Sequence, residues 1–474
     1  MIPKRDSYDA VVVGAGPNGL AAAITLSSTF NAVLLVEAGE TIGGGLRSAE
    51  LTLPHYIHDI CAAIHALAIS SPFFRTLDLQ RHGLTWIQPE IPLAHPFEDG
   101  SALYLHRSLE ITADVLGFDG KAYRNLVAPF VDNHERLLKD LLAPFHFPLH
   151  PFLMALFASR ALGSVKNLAY KKFRSEKTRA LFAGMAAHAM IPLEKPATAA
   201  FAVILATLAH AVGWPIIKGG SQNLANALAD NFRHHGGEII TGKNVKSLWE
   251  LPKAKFYFFD VTPRQLLNIA GLDLSPRYCR KLARFRYGSG VCKVDWALRE
   301  PIPWKAPICG KAVTVHLGNS FEEINDSLHH PYRGTVSPAP YIILAQQSLF
   351  DPTRTPEGGH TAWAYCHVPH GSPENVADLM EQTIERYAPG FREVILAKNS
   401  MSAVDMERHN PNYVGGDING GIQNLWQLYN RPVLSPVPYR TSVKNIYLCS
   451  SSTPPGGGVH GLCGYYAARA ASER

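Results

Sequence analysis

Residues 8–37 constrain the fold of this 474-residue chain more than any other segment. Residues 8–13 (Tyr-Asp-Ala-Val-Val-Val) predict a buried strand, which a glycine-rich turn and a helix rich in Ala and Leu follow. Residues 32–37 (Ala-Val-Leu-Leu-Val-Glu) predict a second buried strand. Two apolar strands joined by a helix form a βαβ unit, in which the strands run parallel. The chain is therefore predicted to begin as an α/β fold.

Three glycines follow the first strand with the spacing G-x-G-x-x-G, namely Gly14, Gly16 and Gly19. The first permits a tight turn, the second lets the backbone approach a pyrophosphate, and the third lets the helix pack on the strand. Glu37 ends the second strand, where it can accept hydrogen bonds from ribose hydroxyls and would repel a 2′-phosphate. The pattern predicts a dinucleotide site of the Rossmann type and disfavours NADP. The alternative is a purely structural glycine turn.

Two further glycine-rich segments favour FAD over NAD. Residues 43–45 (Gly-Gly-Gly) follow the second strand and precede Arg47, as in the second glycine motif of glutathione-reductase-type flavoproteins. Residues 451–461 form a Ser/Pro/Gly-rich loop before the last predicted helix, and the N–H groups at that helix start suit a flavin and its ribityl chain. No second G-x-G-x-x-G with strand context occurs, so a separate NAD(P)H domain is not expected.

Composition narrows the class of protein. Hydrophobic residues make up 46% and charged residues 18%, which is typical of a folded chain. The net charge of +6 is mild and spread out, and it disfavours a nucleic-acid partner. Seven cysteines without a C-x-x-C pair argue against a zinc ribbon, a dithiol redox centre and a secreted disulfide framework, so a cytoplasmic location is predicted. The charge-free run 197–214 is interpreted as a buried helix.

These segments resemble the phytoene-desaturase-like flavoproteins, and within them the bacterial phytoene dehydrogenase-related branch. The matching segments are residues 8–19, 37–47, 213–237 and 445–468. The resemblance implies an α/β fold, with a glutathione-reductase-type Rossmann FAD-binding domain and an inserted α+β substrate domain. It implies that residues 1–70, 213–290 and 425–474 form the first domain, and residues 71–212 and 291–424 the second.

The resemblance also implies which residues contact FAD, and it adds Val245 as a strand position against the adenine. The full predicted set is Gly14, Gly16, Pro17, Asn18, Gly19, Glu37, Ala38, Gly44, Gly45, Arg47, Val245, Ser451, Gly457, Val459 and His460. Flavin amine oxidases of this fold usually carry an acidic residue in the C-terminal loop, where this chain has Ser451 or Ser452.

The function expected from the resemblance is FAD-dependent oxidation or reduction of C–C and C=C bonds in an apolar, isoprenoid or polyene substrate. The electron acceptor and the oligomeric state are not identified by the sequence. Three alternatives stay open. They are a flavin-dependent double-bond isomerase without net redox, an isoprenoid-binding protein of the GDP-dissociation-inhibitor type, and a flavin amine oxidase.

Histidines supply the candidate catalytic groups, and no metal site is predicted. His58 and Asp59, with His65 nearby, are compatible with a proton relay, a metal site or a structural role. His460 lies in the C-terminal glycine loop, where it would stabilise charge on the flavin, donate to substrate or order the loop. A basic amphipathic run at residues 160–179 predicts either a peripheral membrane contact or a solvated helix face.

Overall fold

The computed structural model describes residues 3–472. The strands of this part of the chain are β1 (Ser7–Val13), β2 (Val33–Val36), β3 (Ser48–Glu50), β4 (Ile57–Asp59), β5 (Trp86–Ile87), β6 (Ile91–Pro96), β7 (Ala102–Leu105), β8 (Ile216–Ile217), β9 (Glu238–Ile240), β10 (Lys253–Phe259), β11 (Gly290–Leu298), β12 (Ala312–Leu317), β13 (Ile342–Ala345), β14 (His360–Val368), β15 (Ile395–Met401) and β16 (Ile446–Leu448).

The α-helices of the same part are α1 (Pro17–Ser27), α2 (Ala66–Ile69), α3 (Leu109–Val115), α4 (Gly120–Val131), α5 (His134–Leu141), α6 (Pro151–Ala161), α7 (Val165–Lys172), α8 (Glu176–Ala187), α9 (Thr198–Ala211), α10 (Gln222–His234), α11 (Pro263–Leu267), α12 (Pro276–Ala283), α13 (Phe321–Tyr332), α14 (Ala377–Tyr387), α15 (Ala403–His409), α16 (Leu425–Tyr429) and α17 (Leu462–Ser472).

A five-stranded parallel sheet lies in the first part of the molecule, in the order β16-β10-β1-β2-β9. Its central strands are apolar on both faces because helices cover both sides, and Val11 and Val12 have no exposed surface. Helix α1 connects β1 to β2 and packs against α10 and α17. The predicted α/β fold with a Rossmann βαβ unit is confirmed.

A seven-stranded mixed sheet lies in the second half, in the order β15-β11-β14-β13-β12-β6-β7. Neighbouring strands are antiparallel except for the parallel pair β6 and β12. Side chains alternate along β14, so that Ala362 and Ala364 pack into a core with α14, whereas Trp363 and Tyr365 face the helices α8 and α9. This second face forms the floor of the cleft described below.

The segment between residues 70 and 150 contains the hairpin β6–β7. Pro96 ends β6, and Asp99-Gly100 makes the turn with Gly100 at φ +83°. Strand β15 lies at the edge of the mixed sheet, where its alternating half-buried pattern carries only a weak apolar signal in the sequence.

The boundaries of the two predicted domains stay a prediction. The parallel sheet takes its strands from residues 7–36, 238–259 and 446–448, and the mixed sheet takes its strands from residues 91–105 and 290–401. Helix α9 occupies most of the charge-free run 197–214. Within residues 3–472, no helix is both long and apolar enough to cross a membrane.

Candidate functional site

One cleft of about 890 Å³ runs from the glycine loops of the parallel sheet to the floor of the mixed sheet. Residues of the β1–α1 loop, the 243–246 segment and the C-terminal loop surround the first end. The second end is lined by Leu205 and Trp214 from the helical layer and by Ile343, Trp363 and Tyr365 from the mixed sheet. The cavity therefore joins a backbone-rich end to an apolar end, within the size range of small-molecule sites.

The glycine fingerprint shapes the first end by leaving out side chains. Gly14 has φ +100°, a conformation that L-residues rarely adopt. A Cβ on Gly19 would lie 1.9 Å from the carbonyl oxygen of Gly14, so only glycine lets α1 pack this closely. A Cβ on Gly44 would lie 3.0 Å from the Cα of Gly16. The two glycine loops therefore face each other without side chains between them, as a cradle for a pyrophosphate requires.

Glu37 is held in place at the end of β2. Its Oε2 accepts a hydrogen bond from the Ala15 N–H at 2.7 Å, and its Oε1 accepts from Gly39 N and from Arg47 at 2.9 Å. A carboxylate oxygen can accept two hydrogen bonds, so Oε2 keeps a free acceptor position. Because Glu37 lines the cleft, this position suits a ribose hydroxyl.

The C-terminal loop closes over the start of α1. Asn18 Nδ2 donates to Ser451 Oγ at 3.2 Å, which joins residues 433 positions apart. The Oδ1 atom of Asn18 is buried without a partner. An unsatisfied buried amide oxygen beside a cleft fits a ligand that supplies a donor.

The predicted FAD-contacting residues divide into two groups. Those that line the cleft are Gly14, Gly16, Pro17, Asn18, Glu37, Ala38, Gly44, Gly45, Arg47, Val245, Ser451 and Val459. Gly19, Gly457 and His460 lie behind this surface. Gly19 supports the helix, and a Cβ on Gly457 would meet the Asn419 carbonyl oxygen at 2.8 Å. Contact of the lining residues with FAD stays a prediction.

His58 and Asp59 do not line the cleft. They are neighbours on β4, so their side chains point in opposite directions. His58 Nε2 bonds Thr52 Oγ1 at 2.9 Å, and burial lowers its pKa to about 3. Asp59 pairs with Arg354 at 3.1 Å. Of the three interpretations of this pair, the geometry favours the structural role over the His58–Asp59 relay, and a catalytic role for either residue stays a prediction.

Asp59 belongs to a buried ion cluster, the Arg354 cluster, formed by Asp59, Asp351 and Arg354. Arg354 also donates to Asp351 at 2.9 Å and to the Ile217 carbonyl at 3.0 Å. Burial opposes ionisation of Asp59, but Arg354 and hydrogen bonds from Ser48 and the Ser221 N–H lower its pKa. These partners favour the ionised form of Asp59, and the cluster ties β4 to β8 and to residues 351–354.

His460 is fully buried inside the C-terminal loop. Its Nδ1 accepts a hydrogen bond from the Leu462 N–H at 3.0 Å, and its carbonyl accepts one from Ser71 Oγ at 2.6 Å. Burial lowers its pKa to about 4. These contacts favour the loop-ordering alternative, although the Nε2 atom has no partner.

Asp260 is the functional candidate that the sequence reasoning overlooked. It follows β10, and its Oδ2 accepts a hydrogen bond from the Gly19 N–H at 2.8 Å, directly beneath the glycine loop. Its pKa is raised to about 7, chiefly by burial and also by the charge of Glu37, while the hydrogen bond from the Gly19 N–H opposes the shift. The sequence does carry a signal for Asp260. This residue directly follows an apolar strand, as Glu37 follows β2, and the carboxyl ends of parallel strands meet at the same edge of a sheet.

Other cleft residues had no clear signal in the sequence. His65 Nε2 bonds Ser221 Oγ at 2.8 Å, and burial lowers the pKa of His65 to about 4. Cys61, His188 and Tyr413 reach the cleft from three separate segments. Within residues 3–472, His, Cys, Asp and Glu side chains form no group of three that could hold a metal ion.

Known proteins similar to this chain include a Rossmann-like domain family and two named relatives. Residues 12–78 match the NAD(P)-binding Rossmann-like domain family. The chain is 27% identical to "Pyridine nucleotide-disulfide oxidoreductase domain-containing protein 2" of Rattus norvegicus, over 98% of this chain and 93% of the relative. It is 31% identical to hydroxyneurosporene desaturase of Cereibacter sphaeroides, over 50% of this chain and 49% of the relative.

Solved structures share the fold at low sequence identity. An oxidoreductase from Methanosarcina mazei matches with a TM-score of 0.63 and 14% identity, over 98% of this chain and 100% of that one. Putrescine oxidase bound to putrescine matches with a TM-score of 0.62 and 16% identity, over 99% of both chains. These comparisons confirm the predicted α/β fold and its Rossmann-like NAD(P)-binding domain, and the fold is the one seen in these oxidoreductase structures.

Proposed function

We propose that the chain binds FAD and uses it to desaturate or saturate C–C bonds of an apolar substrate. The observation that carries the proposal is the single cleft, which joins the glycine cradle to an apolar floor. The glycine loops and the free acceptor position of Glu37 fit the pyrophosphate and the adenosine ribose. Bound FAD would supply the two-electron redox chemistry, and the chain would orient the substrate and exclude water.

The apolar end favours this function over amine oxidation, although putrescine oxidase shares the fold. Glu37 and Asp260 are the only carboxylates among the described residues lining the cleft, and both lie at its nucleotide end. A charged amine at the floor would be desolvated without a counter-charge, which is costly. A carbon skeleton instead gains from contact with Trp214, Ile343 and Trp363.

The experiment that tests this function records the redox state of the flavin and the mass of the substrate in the same reaction. The flavin-loaded protein is mixed without oxygen with isoprenoid hydrocarbons, while the oxidised-flavin absorbance and the product mass are recorded. Loss of the absorbance together with loss of two hydrogens from the substrate supports desaturation. A product of unchanged mass formed with reduced flavin, and no acceptor consumed, would assign double-bond isomerisation instead.

A peripheral membrane contact is also proposed, at a site other than the basic run. Phe173 in that run and Phe157 just before it face the core, and Arg160 donates to the Leu126 carbonyl, which favours a structural role. A more exposed surface, the aromatic patch, consists of Phe145, Phe147, Leu149, Phe152, Trp426 and Tyr429, which are 55–91% exposed. Phe145 and Tyr429 join its two segments, because their ring centroids lie 6.3 Å apart in an edge-on aromatic contact.

A further inference from the structure

Four histidines gather where the apolar end of the cleft meets the mixed sheet. This histidine cluster consists of His95 on β6, His188 after α8, His316 on β12 and His367 on β14. His188 is half-buried and lines the cleft, whereas the other three are buried. The strand register places His95 beside His316, because Ala94 pairs with Val315 in the parallel ladder.

The cluster has more hydrogen-bonding groups than the protein satisfies. His188 Nε2 and His316 Nε2 are 3.1 Å apart, and His95 Nε2 donates to the Gly318 carbonyl at 2.7 Å. The remaining Nδ1 atoms of His95 and His316 are buried without partners, as are both ring nitrogens of His367. His188 Nδ1 has no hydrogen bond to any residue from 3 to 472. His188 is the member of the cluster that lines the cleft, so its unsatisfied Nδ1 is the nitrogen for which a ligand there would supply a partner.

The imidazoles of the cluster are uncharged at neutral pH. Burial lowers the pKa of His95 and of His188 to about 4 and that of His367 to about 3. Burial also lowers the pKa of His316, and the neighbouring imidazoles lower it further. Besides burial, only other imidazoles and the Gly318 carbonyl influence these values within the described chain. The cluster therefore offers neutral donors and acceptors and no counter-charge.

Glycine in α8 allows the cluster to form. A Cβ on Gly184 would lie 2.9 Å from His316 Nδ1 and 3.3 Å from both His95 Nδ1 and the Tyr341 hydroxyl. Tyr341 donates to the Gly184 carbonyl at 2.8 Å, which fixes the helix against the sheet. A methyl group at this position would therefore displace the imidazoles without removing any of them.

We propose that the histidine cluster binds a hydroxyl group carried by an otherwise apolar substrate, through His188, and that this selects the substrate. The proposal rests on the proposed function, since it needs an apolar molecule in the cleft. The free nitrogen of a neutral imidazole either donates or accepts, and a hydroxyl does both, so the pair is satisfied in either tautomer. A carboxylate or an ammonium group would lose its water shell without gaining an opposite charge.

Binding of four matched monoterpenoids tests the proposal. Geraniol carries the hydroxyl, myrcene carries no polar group, geranic acid carries a carboxylate and geranylamine carries an ammonium group. Their affinities are measured with the flavin-loaded protein at neutral pH by tryptophan fluorescence, because Trp214 and Trp363 line the cleft. We expect geraniol to bind about five- to ten-fold more tightly than myrcene, as one neutral hydrogen bond provides, and more tightly than either ion.

Three variants distinguish a loss of hydroxyl recognition from a general loss of folding or of apolar binding. His188→Leu should remove the preference for geraniol while leaving the affinity for myrcene within about two-fold, since leucine keeps the apolar contact. Gly184→Ala should weaken the preference by displacing His316. His360→Leu is the matched control, because His360 lies on β14, has its Nδ1 buried without a partner and does not line the cleft. It should retain the full preference.

A wild-type protein that binds geraniol no better than myrcene, or that prefers either ion, overturns the proposal. The same holds if His188→Leu keeps the geraniol preference, or if none of the four probes binds. Flavin content is measured on the same samples. Protein that takes up no flavin but still shows the His188-dependent preference for geraniol would contradict the redox function alone. Flavin-loaded protein that shows no preference for geraniol would contradict this inference alone.

Discussion

Gly16 limits how closely a phosphate can approach the backbone. Alanine readily adopts the φ of −73° found at Gly16. Gly16→Ala therefore adds a methyl group beside the backbone without changing the backbone conformation. The new methyl group would lie 2.9 Å from Asp260 Oδ2, so the glycine loop or Asp260 must shift to make room for it. We expect the affinity for FAD, measured by quenching of flavin fluorescence, to fall at least about ten-fold, or 1.4 kcal/mol.

Gly310→Ala is the control for this change, because no atom lies within 4 Å of a Cβ at that position. It should bind FAD as the wild type does. Equal FAD affinity in Gly16→Ala and Gly310→Ala would mean that the pyrophosphate does not lie against the first glycine loop.

Asp260 should make FAD binding depend on pH. Its carboxyl, with the pKa raised to about 7 by burial, is largely protonated below that pH and negatively charged above it. Because the charge would face the phosphates, FAD affinity should fall about ten-fold between about pH 6 and pH 8. Asp260→Asn keeps an acceptor for the Gly19 N–H and should remove this dependence, whereas the exposed Asp114→Asn should retain it. A titration profile that is identical in Asp260→Asn and wild type contradicts the assignment.

The same carboxyl affects the stability of the apoprotein. Its folded-state pKa lies above the unfolded value of about 4, so the folded state binds the proton more tightly. The resulting contribution to stability is fully present below about pH 4 and is lost as the pH rises through about 7. Thermal melts of the apoprotein should show this trend in wild type and a weaker one in Asp260→Asn.

The Arg354 cluster connects elements that the sequence separates by hundreds of residues. Arg354→Met would leave Asp59 and Asp351 buried without their cation, and we expect a loss of about 3–5 kcal/mol in the free energy of unfolding. Urea denaturation measures this loss. Arg81→Met is the control, because Arg81 forms an exposed pair with Asp78 and should change stability by less than about 1 kcal/mol. Similar midpoints for both variants would show that the cluster does not stabilise the fold.

Elements with strong local patterns could be predicted from the sequence. The strands at residues 8–13 and 312–317 are continuous apolar runs, and α10 begins after a glycine pair and ends at another. β6 and β15 could not, since prolines and a half-buried edge obscure the strand period. Their position depends on sheet neighbours that the local sequence does not specify.

The cleft as a whole was only partly predictable, because it depends on contacts between distant segments. The glycine fingerprint predicted one end of the cleft, because its two glycine loops and Glu37 lie within residues 14–47, whereas residues 243–246, Asp260 and the C-terminal loop complete that end from distant segments. The histidine cluster draws on four separate elements between residues 95 and 367, and no local pattern connects them. The geometry of β4 does not favour a His58–Asp59 relay, because adjacent residues of a strand place their side chains on opposite faces, and the local sequence did not show this.

The aromatic patch should hold the molecule on anionic lipid. Phe147 and Phe152 are 84% and 91% exposed, and the neighbouring helix α5 carries the exposed Arg136 and Lys139. The double variant Phe147→Ser with Phe152→Ser should lower binding to phosphatidylglycerol vesicles at least about ten-fold in co-sedimentation, and salt should weaken the wild-type binding. Trp249→Ser, at a separate exposed position, is the control.

Unchanged vesicle binding by the double variant would contradict the membrane contact. Loss of a dimer in that variant, without any vesicle binding by the wild type, would assign the patch to self-association instead. Size-exclusion chromatography with light scattering distinguishes these results.

The central claim, that the cleft of the whole molecule holds FAD, is tested most directly by the flavin content of the purified protein. The protein is incubated with excess FAD, desalted and denatured, and the released nucleotide is identified and quantified against the chain. One FAD per chain, absent from Gly16→Ala and present in Gly310→Ala, is the predicted result. A colourless protein that retains no FAD, or that retains NAD in its place, would contradict the account.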